Sequence, residues 1–208
     1  MKKQDKISTK EKLLEVAIEE FAEYGYDGVS TRSLTSKAGL NNYAISYHFG
    51  SKKDLHMACI DSVVEQYKID LQPLENEINF LLENNLGSDI WRSLLKKSLL
   101  FHIKIFISNK TKSRYIFFLR LKLSKFTSDE IATKISLNYE AIKLIISKAN
   151  NLTDKNEKIV SLKCMNIFSL LHSLVVSKHM MLKTFNCEDY TPEFVEEFLE
   201  YLLTLATV

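Results

Sequence analysis

The sequence predicts an all-α protein, and three observations carry that prediction. Apolar residues recur at spacings of three and four along nearly the whole chain. Only two prolines occur, Pro73 and Pro192. Four of the five glycines, Gly25, Gly28, Gly39 and Gly50, fall in the first fifty residues, so short, sharply turned elements are expected there and long helices beyond. That contrast places a domain boundary near residue 54, with residues 1–54 as a small helical unit and 55–208 as a larger helical domain. A chain of 208 residues with 46% hydrophobic content can bury a sizeable core.

The first helix is expected to begin at Ser8, whose hydroxyl can accept from the Glu11 amide while Glu11 reaches back. Leu14, Ala17, Ile18, Phe21 and Ala22 form its apolar stripe, and Glu15, Glu19, Glu20 and Glu23 its acidic outer face, with Gly25 ending it. Ser30 caps a short second helix carrying Leu34 and Ala38, and Gly39 permits the sharp turn after it. Asn41 caps a third helix with Leu40 and Ile45 facing inward, closed by Phe49 and Gly50. Two short helices joined at a glycine turn outline a helix-turn-helix. Ser51 then starts a fourth helix, with Asp54 in its first turn and Leu55, Cys59, Val63 and Tyr67 as its buried stripe.

Net charge is only +2, but its distribution is uneven. From Gly28 to Lys53 the chain carries Arg32, Lys37, Lys52 and Lys53 and no carboxylate, a local electropositive surface. In a helix-turn-helix the second helix enters the major groove while neighbouring groups hold phosphates. Asn42, Tyr43, Ala44 and Tyr47 face outward if Leu40, Ile45 and Phe49 face inward. Asn42 suits base edges or phosphate, and Ala44 suits close backbone approach or a thymine methyl. Tyr47, His48 and Lys52 can donate to phosphates, as can Arg32 and Lys37 from the preceding helix and the cap residue Asn41 beside them.

The strings FAEYGYDGVSTRSLTSKAGL, Phe21 to Leu40, and YHFGSKKDL, Tyr47 to Leu55, resemble the DNA-binding region of the TetR family of bacterial regulators. The resemblance covers roughly the first quarter of the chain, Thr9 to Leu55. It implies that Arg32, Tyr47, His48 and Lys52 contact DNA and that Asn42 and Tyr43 lie where operator choice is made. Two residues depart from the family pattern: Ala44 stands where a hydroxyl residue is usual, and Tyr43 replaces a small one. The resemblance further implies a homodimer on a palindromic double-stranded operator, and repression relieved by a small-molecule effector.

The remainder of the chain holds a second acid-free stretch, Ile90 to Ser128, with ten basic residues, Lys96, Lys97, Lys104, Arg114, Arg120 and Lys122 among them. Its aromatics are Trp91, Phe101, Phe106, Tyr115, Phe117, Phe118 and Phe126. Two readings stand side by side. The cations form a solvated face pairing with acids elsewhere, such as Glu75, Glu77, Glu140 and Glu196; or the aromatics line an effector cavity and some cations hold an anionic group, such as an acyl-coenzyme A or a carboxylate. Trp91, Phe101, His102, Ile105, Phe118, Phe168 and His172 are the candidate cavity residues for a small hydrophobic or amphipathic effector.

Residues 156–184 and 191–205 are expected as two further helices, the second capped by Thr191 with Pro192 as its first residue. Leu171, Leu174 and Val175 on one and Phe194, Phe198 and Leu202 on the other read either as core or as dimer contacts, and the resemblance favours the latter, since the family builds a four-helix bundle from its last two long helices. His172 and His179, seven residues apart on one face, read as core or interface histidines rather than a metal site. Met180 and Met181 either border a pliable pocket or pack, the latter being commoner at helical spacing.

No cofactor is expected: the chain lacks a Gly-rich phosphate loop, a serine elbow and a His-Glu metal motif, so an enzyme is disfavoured. Cys59, Cys164 and Cys187 read as reduced thiols. The basic N-terminus MKKQDKISTK precedes no apolar segment of secretory type, and the uncharged stretch Cys164 to Ser177 is short for a bilayer span, so a cytoplasmic protein with no membrane partner is expected. The competing function is a DNA-bound interaction module that recruits a protein without any small-molecule inducer.

Overall fold

The computed structural model describes residues 8–121 and 129–207, so Lys122 and Phe126 of the basic stretch and the start of the basic N-terminus lie outside the described residues. Among the described residues there are ten α-helices and no strand. They are α1 (Thr9–Tyr24), α2 (Thr31–Lys37), α3 (Ala44–His48), α4 (Lys52–Glu83), α5 (Ser88–Ile107), α6 (Asn109–Leu121), α7 (Asp129–Ala149), α8 (Glu157–Val176), α9 (Lys178–Thr184) and α10 (Pro192–Ala206).

The chain divides into two compact units. The first comprises residues 1–68 and 113–128, the second residues 69–112 and 129–208. A single cut at residue 54 does not describe this division, because the N-terminal helices are completed by the first half of α4 and the last turns of α6.

In the first unit, Ser8 and Glu11 form the capping box at the start of α1, with the Glu11 amide 3.2 Å from Ser8 Oγ and the Ser8 amide 2.8 Å from Glu11 Oε2. The buried stripe of α1 is Leu13, Ala17, Ile18, Phe21 and Ala22; Leu13, not Leu14, is its fully buried leucine. Glu20 is a second correction, since it is buried rather than on an outer face. Its carboxylate lies 2.6 Å from Lys37 Nζ, an ion pair joining α1 to α2. Burial of a carboxylate is tolerable only with such a partner.

The end of α1 is closed from far along the chain. Arg120 on α6 donates from Nε to Ala22 O at 2.6 Å and from Nη2 to Glu23 O at 2.8 Å. These are last-turn carbonyls with no partner inside the helix, and a cation there also complements the helix dipole. Two turns earlier, Arg114 pairs with Glu15 and reaches Ser62 Oγ at 3.3 Å. Between the two arginines, Phe117 packs its ring against Phe21 and His56. Phe21, Tyr26, His56 and Phe117 thus form one aromatic cluster at the centre of the unit. Burial, assisted by the nearby Lys52 charge, lowers the His56 pKa to about 4, so its imidazole is neutral near pH 7.

In the second unit α5 packs against α7, α8 and α10, and α8 against α7 and α10. Its core is aliphatic: Leu94, Leu95, Leu99, Ile103, Ile145, Ile146, Ile167 and Leu202 are all buried. Thr191 accepts from the Phe194 amide at 3.2 Å and Pro192 opens α10, as the sequence signals. The expected helix over 156–184 is instead two, α8 and α9, separated at Ser177. By length and composition alone α8 is apolar enough to cross a membrane, with one part of its surface buried in the unit and another exposed.

Candidate nucleic-acid interface

The helix-turn-helix is built by α2, the Gly39 turn and α3. Ser30 accepts from the Ser33 amide at 3.0 Å and Ser33 Oγ lies 3.1 Å from the Ser30 amide, a capping box with serine in both places. Gly39 has φ of 65°, a left-handed conformation that a side chain would strain. Asn41 takes part in the turn, its Oδ1 accepting from the Tyr43 amide at 3.0 Å. It sits further from the helix than an N-cap would, because α3 begins only at Ala44. Ser51 caps α4, accepting from the Asp54 amide at 3.1 Å.

Of the predicted DNA contacts, Tyr43 and Tyr47 stand out from the surface at 80% and 84% exposure. They lie four residues apart, one turn of α3, and so share a face. Arg32, Asn41 and Asn42 are also exposed. His48 is half-buried, its ring meeting Tyr47 edge-on at 4.8 Å. Lys52 is half-buried with its ammonium 4.3 Å from the Tyr26 ring centre, which holds the stem of this cation in place.

Two predicted contacts take other roles. Ala44 is only 7% exposed and packs inward beside Ile45, so it presents no methyl to a groove. Helical spacing on a five-residue helix does not fix which side faces the core. Lys37 keeps an exposed stem, but its ammonium is held by Glu20, which also raises its pKa. Its charge is offset locally rather than offered freely to phosphate.

The sequence reading did not single out Ser46, which is exposed one helical turn from Tyr43. It also treated the first helix as a purely acidic support. Lys12 Nζ comes within 3.7 Å of where a Cβ on Gly39 would lie, and Lys10 Nζ lies 5.5 Å from the Phe49 ring centre. Both cations of α1 therefore add to the positive charge around the turn, a feature that nothing in the local sequence of the turn reveals.

A family profile described as bacterial regulatory proteins, tetR family, matches residues 13–59, the stretch that builds this motif. The HTH-type transcriptional dual regulator CecR of Shigella flexneri is 41% identical over 63 residues, 28% of this chain and 28% of that protein. A TetR-like transcriptional regulator from Rhodococcus sp. RHA1 superposes with a TM-score of 0.71 at 14% identity, over 98% of this chain and 96% of that one. Residues 13–59 thus carry the DNA-binding motif of the TetR family, and the described chain has the fold of TetR-like regulators. AibR, solved in complex with isovaleryl coenzyme A and operator DNA, has the same fold, with a TM-score of 0.66 at 11% identity over 95% of this chain and 97% of that one. The curated relatives carry the resemblance only in part: the chain spans about a quarter to a third of their length.

In this chain the predicted effector residues separate. Phe101, His102, Phe168 and His172 are neighbours in the second unit, joined by Phe106 and Tyr139, with ring centres 5.5 to 6.3 Å apart. Ile105 is half-buried on the same helix, α5. Trp91 is buried and donates its indole N–H to Leu86 O at 3.2 Å. Ten residues before Phe101 on α5, it lies about 15 Å away along the helix. Phe118 belongs to the first unit, where it packs on Tyr67 with ring centres 5.0 Å apart. A separate hollow of about 270 Å³ is lined by Lys143, Leu144, Ser147, Lys148, Leu152, Thr153, Glu157 and Val160, none of them a predicted effector residue.

Several cations of the basic stretch meet acids, as in the first of its two readings, while Arg120 holds backbone carbonyls instead. Lys96 pairs with Glu200 at 3.0 Å, Lys97 with Glu77 and Arg114 with Glu15. Arg92 donates to Ala149 O at 3.0 Å and pairs with Asp89 at 3.1 Å.

The predicted dimer contacts need a larger correction. Leu171, Leu174, Val175, Phe194, Phe198 and Leu202 are all buried within the second unit. The apolar residues exposed on these helices are Ile159, Leu162, Met165, Val176 and Met180, with Tyr201 on α10. His172 and His179 lie on different helices, α8 and α9, so they do not share a helical face.

Proposed function

We propose that the protein is a dimeric, sequence-specific DNA-binding transcriptional regulator of the cytoplasm, acting as a repressor that a small hydrophobic or amphipathic effector releases from a palindromic operator. The observation that carries this reading is the outward pair Tyr43 and Tyr47 on a short helix set in an acid-free, glycine-turned frame. Two exposed aromatic side chains on one turn form an apolar patch of the kind that marks an interaction surface. Both can donate through their hydroxyls, and their rings offer apolar contact to groove edges.

Affinity for DNA comes mainly from cations and hydroxyls on phosphate, here Arg32, Lys52, Tyr47 and His48, with Lys10 and Lys12 adding to the field. Operator preference comes from Asn42 and Tyr43, with Ser46 beside them. Two such heads on a two-fold dimer reach successive major grooves about 34–36 Å apart.

The dimer face consists of Ile159, Leu162, Met165, Val176 and Met180 with Tyr201, rather than the residues already buried in the unit. Leu162 and Val176 are 60% and 73% exposed. Along α8 the stripe passes Ser169 and half-buried Ser173, small residues at which a partner helix can cross closely. The effector site is the aromatic group of Phe101, His102, Phe106, Phe168 and His172. An effector shifts the DNA-binding equilibrium only through different affinities for two states of the chain. AibR's complex with isovaleryl coenzyme A and operator DNA supports an acyl-coenzyme A as the first compound to try.

Selection of bound sequences from random duplex DNA at two salt concentrations tests the proposal. A palindromic consensus is expected. Retention that is sequence-independent at both salts would sink the regulator reading in favour of a DNA-bound interaction module.

A further inference from the structure

Thr35 lies on α2 with no exposed surface, yet it is polar. A buried hydroxyl requires hydrogen-bond partners. Its Oγ1 lies 3.1 Å from Thr31 O, 3.2 Å from Arg32 O and 3.1 Å from Asn42 Oδ1. The first two are positions that a helical threonine reaches on its own preceding turn, and the single hydroxyl hydrogen is shared among the three acceptors. The third crosses from α2 to the turn before α3, where Asn42 is otherwise exposed.

We infer that Thr35 is a specificity-determining positioning residue: by turning Asn42 Oδ1 toward α2, it leaves that carboxamide only its Nδ2 donors for DNA. Asparagine reads adenine by using both ends at once, accepting from N6 and donating to N7. A carboxamide whose oxygen is turned toward α2 does not present oxygen and nitrogen side by side to one adenine edge. It can donate to a purine N7, to guanine O6 or to thymine O4, and N7 is common to both purines. The wild-type protein therefore does not separate adenine from guanine at the base facing Asn42. The inference rests on the DNA-binding reading and deepens it, by assigning the chemistry of one contact to a residue that never touches DNA.

The test uses the full chain in five forms: wild type, Thr35→Val, Thr35→Ser, Asn42→Ala and the double variant Thr35→Val with Asn42→Ala, each taken through selection from random duplex DNA. Valine keeps the shape of threonine without the hydroxyl, and serine keeps the hydroxyl. Thr35→Val is expected to gain about a tenfold preference for adenine over guanine at one base per half-site. Thr35→Ser keeps the wild-type preference, and adding Thr35→Val to Asn42→Ala changes nothing further. An adenine preference already present in the wild type, or one that Thr35→Val leaves unaltered, overturns the inference.

A second measurement needs no DNA. In nitrogen-15 spectra of the free protein, the Asn42 side-chain NH₂ pair, assigned by its loss in Asn42→Ala, should move in Thr35→Val and not in Thr35→Ser. An unmoved pair overturns the inference even if DNA selection succeeds. Failure of the wild type to select any DNA sinks the regulator reading instead, and the spectra still decide the link.

Discussion

Two stretches of this chain look alike as text: Gly28 to Lys53 and Ile90 to Ser128 are both basic, aromatic and free of acids. Folded, they differ. In the first, Tyr43 and Tyr47 stand in solvent beside exposed Arg32 and Asn42. In the second, Phe117, Phe118 and Tyr115 are buried, while Lys96, Lys97 and Arg114 meet Glu200, Glu77 and Glu15 from remote parts of the chain. An acid-free run in sequence is therefore not an acid-free region in space. What separates the two is the burial of the aromatic residues between the cations.

The largest expected effect tests that distinction through the aromatics. Phe117→Ala should destabilise the protein by about 3–5 kcal/mol, because it opens a cavity against Phe21 and His56. Tyr43→Ala should change stability by less than about 0.5 kcal/mol while altering operator preference. Chemical denaturation and DNA selection on the two variants read both sides. A Tyr43→Ala variant as unstable as Phe117→Ala would erase the contrast.

Acid gives the next effect, through His56. Its folded pKa of about 4 lies below the 6.5 of a free imidazole, so the unfolded state binds more protons between these limits. Stability from this group is complete above about pH 6.5 and is lost as pH falls through 4, by about 3 kcal/mol in all. Melting curves across that range should show the loss, and a His56→Gln variant, whatever its own baseline, should lack this component of the slope.

Arg120→Ala removes two charge-assisted bonds to the end of α1 and should lower stability by about 1–2 kcal/mol. Thermal melting checks it. The smallest effects concern the surface cations. Lys52→Ala should weaken binding to every DNA sequence and flatten the salt dependence by about one unit. Lys96→Gln and Lys97→Gln should leave that slope alone and cost less than about 1 kcal/mol of stability, as exposed ion pairs do. A reduced salt slope in either glutamine variant would break the comparison between the stretches.

Much of the local structure was legible because it rests on adjacent residues. Ser8 with Glu11, Ser30, Ser51 with Asp54, and Thr191 with Pro192 all set helix starts by contacts within three or four positions. The all-helical class and the helix-turn-helix outline followed from the same signals. What escaped depends on partners far away in sequence or on choices between equal faces. Glu20 belongs by spacing to an acidic surface, and only Lys37 makes its burial possible. On α8, Leu171 and Leu162 are both apolar residues of an apolar helix. Nothing local says that the first is core and the second exposed. Asn42 was recognised as a polar residue at the right place, but its link to Thr35 could not be read without the angle between two helices.

The bonds from Arg120 to Ala22 and Glu23 have a consequence for how this protein is made. A ribosome emits α1 to α4 long before it emits residue 120, so the nascent N-terminal helices wait with the last carbonyls of α1 uncapped and with Phe21 and His56 short of Phe117. The segment resembling a self-contained N-terminal domain is completed only once residue 120 has been made. A chimera that takes its reading head from this protein by cutting after α4 would inherit the motif without its keystone.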